Sequence, residues 1–136
     1  KTVFFDRWGY DLFKDAYACI PQGTVGDVVN ERGIEYIYYS KTPIELLMQV
    51  HDSIVFQIPL SIGWVEHARL LTDIKHSLET PLVVHGREFV IPVDTDMGLC
   101  FYKKKMKQIK ANSWPSNLEE LAKKLEDNYN QIKGTV

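Results

Sequence analysis

The fold class of this chain follows from one segment, residues 48–59, which reads MQVHDSIVFQIP. Apolar runs of strand length lie on either side of the pair His51-Asp52, and this pattern predicts an antiparallel hairpin over residues 44–50 and 54–58. Asp is a common turn residue because its side chain satisfies nearby backbone groups. A hairpin tip also holds a carboxylate rigidly in an exposed position. Asp52 is therefore a candidate turn residue and a candidate metal ligand.

Helices are predicted before and after this hairpin, because apolar residues recur at spacings of three and four. They cover residues 6–19, 21–39, 65–78 and 118–132. A second hairpin is predicted around Gly86, from residues 82–84 and 88–93. Ser116 and Glu119 match a capping box at the start of the last helix. Helices that precede and separate antiparallel strand pairs predict an α+β fold.

Composition limits the function classes. The chain has 136 residues, of which 45% are hydrophobic, and this is enough for one core. The net charge of -2 gives no overall attraction to nucleic acid, so any contact with DNA must come from local basic patches. No apolar run reaches the roughly 20 residues of a membrane span, and Cys19 and Cys100 lack metal-site spacing. We expect an intracellular protein, and the first residue, Lys1, suggests a piece of a longer chain.

Two motifs resemble family A DNA polymerases. Residues 49–52, Gln-Val-His-Asp between two strands, resemble the family's motif C. Upstream, residues 20–28, IPQGTVGDV, resemble the helix start in which an Asp comes three residues after Gln-Gly-Thr. The resemblance extends from about residue 13 to residue 101 and is weakest after residue 81. It implies that residues 1–101 form the C-terminal palm hairpins and the end of the fingers of a right-hand polymerase, most similar to phage-type enzymes. Residues 102–136 would be a lysine-rich segment and a C-terminal helix.

The resemblance also implies roles for single residues. Asp52 would bind Mg²⁺ in a two-metal site, and His51 would lie beside the primer end as the second catalytic residue. Gln22 would contact the nascent base pair from the minor groove, where the acceptors of all base pairs are similar. Lys14 and Thr24 would add further contacts with DNA. The parent enzyme would bind primer-template DNA and a deoxynucleoside triphosphate, and it would extend the primer during DNA replication.

Several departures from the family pattern limit what this chain can do alone. Ser53 stands where the family usually has Glu. Lys14 stands where the family often has Arg, and it keeps the positive charge but cannot bind a phosphate through two parallel hydrogen bonds. The Asp of motif A and the Arg and Lys of the fingers are absent from the sequence. We therefore expect no polymerase activity without a second polypeptide or a longer parent chain. A natural split enzyme and an excised fragment both fit, inside a phage-infected bacterium.

Two other functions fit the same residues. The first is a DNA-binding or protein-binding module without catalysis, which would use the last helix and five lysines within eight residues. These are Lys103, Lys104, Lys105, Lys107 and Lys110. The second is a small metal-dependent nuclease that combines Asp52 with Asp94 and Asp96, which share one face of an extended segment.

Overall fold

The computed structural model describes residues 23–134, which divide into two compact units between Gln57 and Ile58. The predicted helix over residues 6–19 and the predicted site residues Lys14 and Gln22 lie outside the described residues. Each unit combines helix with antiparallel strand pairs, and every sheet has two strands. The α+β class predicted from the sequence is therefore confirmed.

The described part of the first unit begins with helix α1, which is helical throughout residues 23–39. Its middle, Val29–Ile34, is a π-helix, and the backbone N–H of Glu35 donates to the carbonyl of Asn30, five residues earlier. Such π-helical turns are rare and occur often at functional sites. Val29, Gly33 and Ile37, four residues apart, are buried on one side of α1. The predicted helix over residues 21–39 is confirmed for its described part.

The predicted hairpin follows α1. Strand β1 spans Glu45–Val50, and strand β2 spans Ser53–Gln57 and pairs with it in antiparallel fashion. Strand β2 also lies against the π-helical part of α1. The element that carries Thr24 and the element that carries Asp52 are therefore neighbours within one unit.

The second unit contains two long helices and two strand pairs. Its elements are α2 (Trp64–Leu78), β3 (Leu82–Val84), β4 (Arg87–Phe89), β5 (Thr95–Met97), β6 (Lys107–Ile109) and α3 (Leu118–Gly134). Helices α2 and α3 pack together along their apolar faces. The core between them contains buried side chains, namely Ala68, Ile109, Leu121, Ala122 and Leu125. The predicted helices over residues 65–78 and 118–132 and the existence of a hairpin around Gly86 are thus confirmed, but its second strand, predicted over residues 88–93, is the shorter β4.

Two features of this unit differ from expectation. The predicted capping box at Ser116 is wrong, because α3 begins one residue later and Asn117 Oδ1 accepts a hydrogen bond from the backbone N–H of Glu119 at 3.1 Å. Asn caps a helix as well as Ser does, so the sequence alone does not show which of Ser116 and Asn117 is the N-cap. The pair β5–β6 was not predicted. It joins residues on both sides of the boundary expected between residues 101 and 102, and it places Ile109 in the core.

Candidate functional site

The hairpin of the first unit closes through a turn of two residues, His51 and Asp52. Val50 and Ser53 are paired directly across the strands, and the Ser53 hydroxyl donates a hydrogen bond to the Val50 carbonyl at 2.8 Å. The pairing continues through Gln49 opposite Ile54. The turn is therefore held by backbone pairing on both sides, and its two side chains project from a fixed tip.

The backbone of His51 is left-handed, with φ of +52°, whereas Asp52 has a negative φ. A positive φ at the first turn residue alone is the pattern of a type II′ turn, in which glycine is preferred at that position. Any side chain there costs about 1 kcal/mol or more, although histidine adopts this region more often than most residues. His51 thus occupies a position where the backbone favours glycine.

Both side chains at this tip are exposed, and neither makes a hydrogen bond or an ion pair with another residue in the range 23–134. The free carboxylate of Asp52 offers two hard oxygen atoms, the ligand type that Mg²⁺ prefers. Ser53 supplies no second carboxylate. The tip can therefore provide one acidic ligand to a metal whose other ligands come from elsewhere.

Strand β1 is irregular and exposed. Its register shifts between Leu46 and Met48, so that Leu47 is the extra residue of a β-bulge. Leu47 and Met48 are 53% and 50% exposed, and Leu46 is also exposed. Bulges often occur beside active sites, where they re-aim a strand. Three consecutive exposed apolar residues are typical of a surface that contacts another protein segment.

The second polymerase-like motif is only partly described. Thr24 lies in the first turn described for α1 and is half-buried. Gln22, the residue expected to contact the base pair, lies just before the described range, and Lys14 lies further upstream. Their placement relative to Asp52 stays a prediction.

The carboxylates of the nuclease hypothesis belong to the second unit. Asp94 Oδ1 accepts a hydrogen bond from the backbone N–H of Ala111 at 2.8 Å, and this bond ties the residue before β5 to the second residue after β6. Asp96 is exposed on β5, opposite Gln108. Across residues 23–134, no three His, Cys, Asp or Glu side chains come together in a group that could hold a metal ion. Asp94 thus has a structural role that the sequence did not indicate.

The second unit has polar features that sequence reasoning missed. His67 is buried, and its Nδ1 lies 2.6 Å from the carbonyl oxygen of Gly63 at the start of α2. On the exposed side of α2, Arg69 donates hydrogen bonds to Glu66, and these bonds hold the pKa of the Glu66 carboxyl below its ordinary value of 4.5. Both contacts join residues of one helix and its cap, so they stabilise α2 rather than form a site.

A cavity of about 330 Å³ opens between α2 and the start of α3. Apolar Trp114 and Leu121 contribute to its lining, with Arg69 and Asp73 on the α2 side. Lys75 lies above the ring of Trp114, with Nζ 5.4 Å from its centre. The residues that line this cavity come from segments about 40 residues apart in the sequence. The apolar periodicity within either segment therefore could not predict the cavity.

Comparison with known proteins found no matching family model, curated protein or solved structure. In the described range 23–134, no helix has both the length and the apolar character needed to span a bilayer. The function proposed below is therefore supported by the chain's own motifs and geometry.

Proposed function

We propose that this chain is the C-terminal palm segment, with the adjoining end of the fingers, of a phage-type family A DNA polymerase. It contributes motif C and the minor-groove helix to template-directed nucleotide transfer inside an infected bacterial cell. Activity requires a motif A strand and a fingers helix from a second polypeptide or from a longer parent chain. The observation that carries this proposal is the exposed Asp52 carboxylate at a fixed two-residue hairpin tip, which makes no hydrogen bond or ion pair with another residue in the range 23–134.

The geometry of the tip suits this role. Asp52 is on a turn held by strand pairing, so its oxygen atoms can meet a metal without a large loss of conformational freedom. His51 precedes it on the same turn and is exposed, as a residue that touches a primer end must be. Bound Mg²⁺ ions would stabilise the charge that develops during phosphoryl transfer. This chain would supply one carboxylate to them, since Ser53 takes the place of a second.

The surroundings of the tip fit a protein that works with other segments. Exposed Leu46, Leu47 and Met48 on β1 give the hairpin an apolar surface next to its bulge. At the end of α1, Tyr38 and Tyr39 are about three-quarters exposed. Such surfaces are common where one polypeptide packs on another. The missing motif A strand and fingers would give these residues a partner.

Primer extension tests the proposal directly. The chain is co-expressed with the reading frame that precedes it, or produced as the longer parent chain, and nucleotide incorporation is measured with Mg²⁺ on a primed template. Asp52→Asn keeps the size of the side chain and removes its charge, so we expect incorporation to fall on the order of a thousandfold. Asp127→Asn, an equally exposed position on α3, is the matched control and should leave incorporation unchanged.

Two results would contradict the proposal. One is polymerase activity that Asp52→Asn leaves intact. The other is an upstream sequence without a motif A aspartate or a fingers helix, together with no primer extension by any complemented form of the chain.

A further inference from the structure

The loop between β5 and β6 has a defined shape. Met97 and Lys107 pair across the strands, and residues 98–106 connect them. A single 3₁₀ turn, Lys103–Lys105, forms inside the loop, where the N–H of Lys105 donates to the Tyr102 carbonyl at 2.8 Å. Met106 folds back so closely on Gly98 that a Cβ there would lie 2.8 Å from Met106 Cγ. We call residues 98–110, which comprise this loop, strand β6 and Lys110, the lysine loop.

The lysine loop carries a cluster of positive charge. Its five lysines are all exposed, and none pairs with a carboxylate among residues 23–134. The two acids next to the loop in the sequence are Asp94 and Asp96. Asp94 Oδ1 accepts a hydrogen bond from the backbone N–H of Ala111. Because a 3₁₀ helix has three residues per turn, Lys103, Lys104 and Lys105 point in three different directions. The charges of these three lysines are therefore spread around the turn and do not lie along one face.

Exposed apolar side chains precede these lysines. Phe101 is 69% exposed and Tyr102 is 51% exposed, and Leu99 is half exposed. Two aromatic rings that are more than half exposed leave apolar surface in water, which is unfavourable. Aromatic rings beside lysines are the combination with which proteins bind single-stranded nucleic acid, since bases stack on the rings and phosphates meet the charges.

We propose that the lysine loop is a binding site for single-stranded nucleic acid. A flexible single strand can curve around the 3₁₀ turn and bring its phosphates to lysines that point in different directions. A rigid duplex would contact only one side of this turn. Its bases are stacked on each other inside the duplex, so they could not stack on Phe101 and Tyr102. This site belongs to the second unit and goes beyond the function proposed for Asp52, on which it does not depend.

Fluorescence anisotropy with the whole chain and a labelled oligothymidylate of about 12 nucleotides tests the site. We expect binding that weakens steeply between about 50 and 200 mM salt. The triple variant Lys103→Gln, Lys104→Gln, Lys105→Gln should lower the slope of log affinity against log salt by about 2, because each phosphate contact with a single strand contributes about 0.7. The matched control is Lys41→Gln, Lys123→Gln, Lys133→Gln, which removes the same charge from exposed positions elsewhere and should leave the slope nearly unchanged.

Phe101→Leu distinguishes base stacking from simple apolar contact. It keeps an apolar side chain at an exposed position and removes the ring, so we expect oligothymidylate to bind about tenfold more weakly without loss of folding. Alkylation of the exposed thiol of Cys100, followed by mass spectrometry of its peptide, gives an independent readout. Bound oligothymidylate should slow this reaction several-fold.

Four outcomes would overturn the proposal. These are no binding at low salt, equal effects of the two triple variants, a duplex of equal length that binds as tightly as the single strand, and binding that Phe101→Leu does not weaken. Co-sedimentation with phosphatidylserine vesicles in place of oligothymidylate binding would also overturn it, because exposed apolar residues beside lysines can serve a membrane surface instead. None of these outcomes depends on Asp52 or on polymerase activity.

Discussion

Two hairpins in the described part of the chain have two-residue turns, and these turns have the same residue type first and different residues second. His51 and His85 each take the first turn position with a left-handed backbone, at φ of +52° and +50°. The second position is Asp52 in one hairpin, with a negative φ, and Gly86 in the other, with φ of +74°. Two positive φ values in succession are the type I′ pattern, which demands glycine or a close substitute at its second residue.

The comparison of the two turns shows which of their residues the backbone conformation accounts for. A left-handed histidine occurs at both tips, so the strained position of His51 is not by itself a sign of function. Gly86 is accounted for by its φ. Asp52 has no such backbone requirement and makes no hydrogen bond or ion pair with another described residue, so its side chain is the part of the first tip that turn geometry leaves unexplained.

The largest expected effect comes from exchanging the second residues. Asp52→Gly gives the first hairpin the turn sequence of the second, and Gly86→Asp does the reverse. In the complemented polymerase we expect Asp52→Gly to lower primer extension on the order of a thousandfold, because the metal loses a ligand. Gly86→Asp should leave the rate unchanged. Equal losses from both changes would mean that turn shape, and not the carboxylate, matters.

Stability gives a second test of the same exchange. Gly86→Asp forces a side chain into a left-handed backbone at a cost of about 1–2 kcal/mol, and no atom crowds the new Cβ. The unfolded chain loses up to about 1 kcal/mol of entropy in return, so amide hydrogen exchange in β3 and β4 should accelerate by about 0.5 kcal/mol. Asp52→Gly relieves no strain, because Asp52 has a negative φ, and it adds entropy to the unfolded chain, so exchange in β1 and β2 should accelerate by about 0.5–1 kcal/mol. A gain in stability from Asp52→Gly would show that position 52 is strained as well.

The first turn residues offer a third test. His51→Gly and His85→Gly should each slow exchange in their own hairpin by about 0.5 kcal/mol, because the left-handed cost of about 1–2 kcal/mol is relieved while the unfolded chain gains up to about 1 kcal/mol of entropy. Only His51→Gly should also weaken primer extension. A gain in stability with no loss of activity at either position would remove His51 from the catalytic residues.

The sequence predicted the elements whose periodicity is strong. Helix α2 and strands β1 and β2 were expected within one residue of their observed bounds, because each has a run of apolar residues at one clear spacing. The pair β5–β6 was missed, since each strand has three residues and β6 reads Lys-Gln-Ile, with a single buried side chain. Pairing there depends on Ile109 reaching the core between α2 and α3, which no local pattern reveals.

The candidate site shows the same division. A hairpin tip with an exposed Asp52 followed from the sequence, because apolar strands flank a polar pair, although β2 begins one residue earlier than predicted and shortens the turn to two residues. The left-handed backbone of His51 did not, since glycine is the usual signal for it. The π-helical turn of α1 had no signal either, as its residues have ordinary helical spacing. The structural role of Asp94 depends on the backbone of Ala111, 17 residues away, and became visible only in three dimensions.

The smallest expected effect concerns the residue after each turn. The Ser53 hydroxyl donates to the Val50 carbonyl at 2.8 Å, whereas Arg87, its counterpart in the second hairpin, makes no side-chain hydrogen bond with a residue in the range 23–134. Ser53→Ala should therefore accelerate amide exchange in β1 and β2 by about 0.5 kcal/mol, the low end for an exposed hydrogen bond. Arg87→Ala should leave β3 and β4 within about 0.3 kcal/mol. If Ser53→Ala has no effect, strand pairing alone fixes the tip, and Ser53→Glu could then add the family's second carboxylate at no cost to the turn.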